Sequence, residues 1–138
     1  VKTHLKKAHL IVGLIALVIF PLTGQYMRIY LADDFAASDR LRFSMRANHI
    51  YILLSALIHF SLGSYLRVSA KRLWANLQTA ASMFLFLSTA LVIAAFIAEF
   101  KMGIKRPITL LAMVLASSGT LLHAFNAYRN GSESIDQA

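Results

Sequence analysis

One stretch, residues 42–67, limits what this chain can become: RFSMRANHIYILLSALIHFSLGSYLR. A helix rises about 1.5 Å per residue, so its run of roughly 20 largely apolar residues covers a hydrocarbon layer of about 30 Å. Yet the run carries Arg46, Asn48, His49 and His59, where a plain anchor carries only Leu, Ile and Val. Ionisable groups are expensive at that depth and mark a bundle interior, a ligand or an aqueous path. What those histidines do is the functional question.

The rest of the chain agrees with a bilayer. Of its 138 residues, 58% are hydrophobic and 14% charged, against about 45–50% and 25% in a soluble domain. The charges sit at the ends of apolar runs, as in a polytopic membrane protein. A net charge of +8 suits juxtamembrane Lys and Arg facing anionic headgroups. No basic stretch stands apart from the apolar runs, so nucleic acid is not expected as a partner. The absence of cysteine excludes disulfides, thiolate metal sites and covalently attached c-type haem.

The N-terminus has the layout of a signal peptide, with Lys2, Lys6 and Lys7 before an apolar run. No A-x-A-like cleavage site follows that run, so it reads as a retained first span. Four spans are expected, at about 8–30, 43–67, 74–98 and 107–128, in one domain over 1–130, with a polar tail at 131–138. Pro21 should kink the first span. The connection 31–41 is polar and short, with Ser38 or Asp39 as N-cap of span two. Span three reads as solidly apolar over 83–97. Gly103 reads as a turn residue and Pro107 as a first helical residue. The fold class is therefore all-α, an integral membrane up-down-up-down four-helix transmembrane bundle.

Four spans put both termini on one face, called face A. Lys and Arg divide evenly between face A and the opposite face B, so the positive-inside rule does not decide orientation. Arg42 and Arg46 read as serving a site, which favours cytoplasmic termini.

Counted from face A, His9, His59 and His123 fall within a helical turn or two of one another, on three different spans. Each shares a helix face with a glycine four residues away, in the pairs His9 with Gly13, His59 with Gly63, and Gly119 with His123. Inward nitrogen ligands beside small residues suit a flat macrocycle, and haem iron in membrane cytochromes is held by axial histidines. The expectation is b-type haem held by two of the three, with His59 and His123 as the iron ligands. The same glycines and the Ala112, Ala116, Thr120, Ala124 stripe are also standard helix-packing devices. His4 reads as solvated.

Span one, with His9-x3-Gly13 followed by Thr23-Gly24, resembles the opening helix of cytochrome b561-like and PepSY-type membrane proteins. The likeness covers about 25 residues; it implies a b-type haem and His9 as a candidate ligand. The stretches TGQYMR and RANHIY resemble small bacterial membrane proteins, which implies the bacterial inner membrane and no particular activity.

A second constellation lies near face B. Arg42, Arg46 and His49 fall at i, i+4 and i+7 on one helix face, and Arg28, Tyr26 and Asn48 are close enough in register to join them. Guanidinium and imidazole donors suit a lipid phosphate or a quinone headgroup. The competing reading pairs both arginines with Asp33, Asp34, Asp39 or Glu99 at the rim of the helix. No carboxylate lies inside a span, no H-E-x-x-H occurs, and no nucleotide-binding glycine loop occurs. Two functions follow as expectations. One is a haem-binding electron-transfer protein acting with a quinone or a membrane redox partner. The other is a non-catalytic subunit binding lipid, partner helices or further copies of itself.

Overall fold

The computed structural model describes the backbone at residues 2–69, 71–100, 102 and 105–135, and side-chain surroundings within 4–129 of that set. Five helices follow one another among the described residues: α1 (Lys2–Tyr30), α2 (Ala32–Ala37), α3 (Asp39–Tyr65), α4 (Arg72–Ala98) and α5 (Pro107–Ile135). Among the described residues no strand occurs. Three helices among the described residues are long and apolar enough to cross a membrane, over His4–Tyr30, Arg72–Ala98 and Pro107–Arg129. Their outward faces carry Ile11, Leu14, Val18, Leu22, Met83, Leu87, Leu110, Leu121 and other exposed apolar side chains. Such a belt is a lipid-facing surface rather than a water-facing one. The chain is a helical membrane protein.

Local chemistry sets the helix limits. Ser38 has extended dihedrals and its hydroxyl accepts from the Leu41 N–H at 3.3 Å, capping α3. Pro107 opens α5, where its missing N–H is harmless. Helix α1 runs on through Pro21. The connection 31–41 is not a plain loop: Ala32–Ala37 forms α2, with Asp33 and Asp34 in its first turn, where carboxylates favour the helix dipole. Gln78, buried on α4, shapes the α3–α4 connection. It donates from Nε2 to the Arg67 carbonyl and accepts from the Ser69 N–H, both at 2.9 Å. Helix α5 continues to Ile135, past the start expected for a polar tail. Gly103 and residues 136–138 lie outside the described residues.

Helix α1 packs along α3, and α4 along α5; α3 meets α4 to join the two pairs. Small residues permit this. A methyl group at Gly13 would lie 3.2 Å from His59 Cβ and 3.3 Å from the Ala56 carbonyl. One at Gly119 would lie 2.8 Å from the Ala81 carbonyl oxygen and 2.9 Å from Leu85 Cγ. The interior is layered. Histidine, serine and threonine fill the half nearer face A. Ile52, Ala56, Val92, Ala95 and Ala112, each at 0% exposure, form an apolar middle. Asn48, Glu99 and Thr109 lie buried towards face B.

Candidate functional site

His9, His59 and His123 are all buried and all turn inward. His9 Nδ1 lies 2.6 Å from His59 Nδ1, and its Nε2 lies 2.9 Å from Ser82 Oγ. Ser82 Oγ in turn lies 3.1 Å from His123 Nε2. At the other end, His59 Nε2 lies 2.9 Å from Thr89 Oγ1, whose hydroxyl donates to the Leu85 carbonyl at 3.0 Å. Phe86 closes one side, its ring 4.6 Å from that of His9 and 5.3 Å from that of His59.

The proton positions follow by elimination for neutral imidazoles, each of which has one donor and one acceptor nitrogen. Thr89 gives its only hydrogen to Leu85, so Thr89 Oγ1 accepts, and His59 donates from Nε2. His59 Nδ1 is then an acceptor, and His9 donates to it from Nδ1. His9 Nε2 is left to accept from the Ser82 hydroxyl. Ser82 Oγ accepts from His123 Nε2. One order remains, His123 to Ser82 to His9 to His59 to Thr89 to the Leu85 carbonyl, each donating to the next. The hydrogen-bonded series begins at His123, whose Nδ1 is buried with no hydrogen-bond partner among the described residues.

The fit to haem is poor. A metal-bound imidazole nitrogen lies about 2 Å from the ion, so two axial histidines keep their ligating nitrogens about 4 Å apart. His9 and His59 are closer than that and bond to each other. The pair first expected, His59 with His123, has His9 and Ser82 between its members. The glycines are also occupied: Gly13 receives α3, Gly63 receives the Leu10 side chain, and Gly119 receives α4. They serve helix contact and leave no cradle for a macrocycle. Among the described residues no group of three His, Cys, Asp or Glu has metal-binding geometry.

The constellation expected near face B divides. Arg28, Arg42 and Arg46 line one cavity of about 500 Å³ together with Gly24 and Phe35. His49 is not part of that lining; its ring packs against Gly24, 3.1 Å from where a methyl there would sit. His49 also stacks on Phe20 and lies 2.9 Å from Thr23 Oγ1 through Nδ1. Since Thr23 donates its hydrogen to the Phe20 carbonyl, His49 donates from Nδ1. Asn48 does not join, because its helical phase turns it to α5, 3.1 Å from the Thr109 hydroxyl. Tyr26 does not join either; it lies on the other side of α1 against Tyr30 and Phe96. Of the arginine partners considered, Arg42 pairs with Asp39 at 2.5 Å. Glu99 instead receives the start of α5, accepting from the Ile108 N–H at 2.6 Å and from the Thr109 hydroxyl. Arg106 Nε lies 3.6 Å from the same carboxylate. His4 is exposed.

Sequence reasoning passed over Ser82, Thr89 and Phe86. The stretch 83–97 is not solidly apolar inside: Thr89 belongs to the histidine chain, and buried Ser88 donates to the Ala112 carbonyl at 2.8 Å. The available signal was spacing, since Gln78, Ser82 and Thr89 stand at i, i+4 and i+11 on one face of α4. No family model, curated protein or solved structure matches the chain.

Proposed function

We propose that this protein is a four-span bundle, with α3 as the fourth span, and that its histidine chain is a proton relay in the face A half of the membrane. The length of α3 supports the span: 27 residues rise about 40 Å. So does its polarity, since Asn48, Ser55 and His59 are buried while Ile50, Leu54 and Leu57 are exposed. In a bilayer that is the sense expected of a spanning helix.

The observation that carries the relay is the single consistent order of donors through three imidazoles and two hydroxyls. A proton taken up at His123 Nδ1 and passed on at each link as far as His59 Nδ1 leaves His123, Ser82 and His9 neutral and His59 with hydrogen on both nitrogens, and the reverse shift returns it. Hydrogen-bonded His chains are a recurrent intramembrane proton path. The apolar layer at Ile52, Val92 and Ala112 ends the path in mid-membrane. That suits delivery of a proton to, or from, chemistry at the face A end rather than transport across the bilayer.

Exchange of the His59 ring hydrogen with bulk water tests this. Ser82→Ala should slow that exchange by about tenfold or more, the factor that 1.36 kcal/mol of added barrier gives. Exchange at His123, whose Nε2–H loses its Ser82 acceptor, should not slow. Equal exchange at His59 in both proteins would mean that its proton reaches water by another route, and the relay would be lost as an explanation.

A haem reading is the second one, supported by three imidazoles from three helices meeting at one level. It requires α1 and α3 to part at Gly13. Sharp α and Soret bands in a reduced-minus-oxidised spectrum would favour it, and a flat trace from haem-replete cells would remove it. Membrane electron transfer with a quinone or a redox partner would then follow from the haem.

A further inference from the structure

Near face B, α1, α2 and α3 together wall the cavity of about 500 Å³ that Arg28, Arg42 and Arg46 line. Arg42 has a carboxylate partner in Asp39. Arg28 and Arg46 have no ion pair and no side-chain hydrogen bond among the described residues. The acids of α2, Asp33 and Asp34, are exposed and stand outside the lining. Three guanidiniums against one carboxylate leave this place with two positive charges in excess. Like charges gathered round one space repel, more strongly where lipid lowers the local dielectric. An anion relieves that repulsion.

The position is that of lipid headgroups. Arg46 lies seven residues on from Asp39, the first residue of α3, and so about 10 Å along the helix, within the polar layer that flanks the hydrocarbon. Ile29 and Phe43, the chain neighbours of Arg28 and Arg42, are exposed apolar side chains, and Met27 and Phe35 belong to the cavity lining. Apolar surface beside a cationic pocket suits a ligand with acyl chains below its charge.

We propose that this cavity binds a phosphate monoester carried by a membrane lipid, of the kind that heads phosphatidic acid. A phosphate monoester bears about −1.5 to −2 charge at neutral pH, which matches the excess on the lining. A phosphodiester headgroup falls short of that, and a neutral quinone supplies none. The terminal oxygens accept from guanidinium forks on two helices, Arg28 on α1 and Arg42 and Arg46 on α3. The volume is that of a small-molecule site. Binding here would tie α1 to α3 at the end of the bundle opposite the histidine chain, and it stands independently of the relay.

The test uses the full chain, labelled with 15N-arginine, in phosphatidylcholine bilayers holding increasing dioleoyl phosphatidic acid or, separately, dioleoyl phosphatidylglycerol. Phosphatidic acid should shift the guanidinium resonances of Arg28, Arg42 and Arg46 saturably, with a midpoint about tenfold below that for phosphatidylglycerol. Arg46→Gln should weaken phosphatidic acid binding by about tenfold, the scale of one charge-assisted hydrogen bond, with the histidine spectrum unchanged as the sign of an intact bundle. Lys105→Gln, which removes an exposed charge on the same face outside the cavity, should leave that binding as it was. Equal midpoints for the two lipids, or an equal loss in Lys105→Gln, would mean general attraction of a basic face to anionic headgroups and would overturn the proposal. Inorganic phosphate titrated into plain phosphatidylcholine bilayers should give no saturable shift; the same shifts with it would assign the cavity to a soluble phosphate and overturn the lipid.

Discussion

Glu99→Ala should lower the stability of the fold by about 3 kcal/mol, measured as a shift of the unfolding midpoint in mild detergent. The magnitude combines two losses. A capping acceptor at a helix start contributes about 1 kcal/mol, and Glu99 takes the Ile108 N–H together with the N–H and hydroxyl of Thr109. Removing one member of a buried ion pair costs about 3–5 kcal/mol; the Arg106 side chain keeps 16% exposure, so only part of that applies. Glu99→Gln keeps an acceptor for the helix start but loses the charge facing Arg106, and should fall between alanine and the parent. A loss under about 0.5 kcal/mol, the scale of surface substitutions, would mean that the start of α5 is held by something else.

The second large effect is expected at His9. Like His59, it has both ring nitrogens bonded to side chains on other helices, here to His59 on α3 and Ser82 on α4. Its replacement by leucine leaves the His59 Nδ1 acceptor unmet inside the bundle and frees the Ser82 hydroxyl. A buried polar atom without a partner costs about 1–3 kcal/mol, while interhelical hydrogen bonds in membranes average about 0.6 kcal/mol. A net loss of about 2 kcal/mol is expected. His123 should keep its bond to Ser82, so its signal in a histidine spectrum should move less than that of His59. Equal movement at both would point to general loosening of the bundle.

The sequence carries the helices more plainly than the site. Apolar runs at 8–30, 43–67, 74–98 and 107–128 each fall on one of the four long helices, although α1 begins at Lys2 and α5 runs on to Ile135, because lipid leaves few alternatives to a hydrogen-bonded helix. Ser38 and Pro107 mark starts through their own backbone chemistry and were legible for that reason. Helix α2 was not, since six residues with no buried side chain produce no periodic signal.

Depth counting correctly singled out His9, His59 and His123 as sharing a level, because rise per residue is nearly constant. What it does not give is the separation between helices. The glycines at 13, 63 and 119 fit either a macrocycle or close helix contact, and only coordinates tell which surface fills them. Ser82 and Thr89 were hidden for a related reason. A hydroxyl in a span is cheap when it bonds its own helix, as Thr89 does to Leu85, so its presence alone says little about partners on other helices. Near face B, Arg42 and Arg46 line one cavity with Arg28, whereas His49 turns to Thr23 and Phe20 and the phase of Asn48 turns it to α5.

The most direct check is the 15N spectrum of histidine-labelled protein in lipid bilayers, in which the nitrogen bearing hydrogen is told from the bare one at each ring. Hydrogen on Nε2 of His59, on Nδ1 of His9 and on Nε2 of His123 is the predicted pattern. Hydrogen on Nδ1 of His59, or iron-shifted resonances in place of any of these signals, would contradict it.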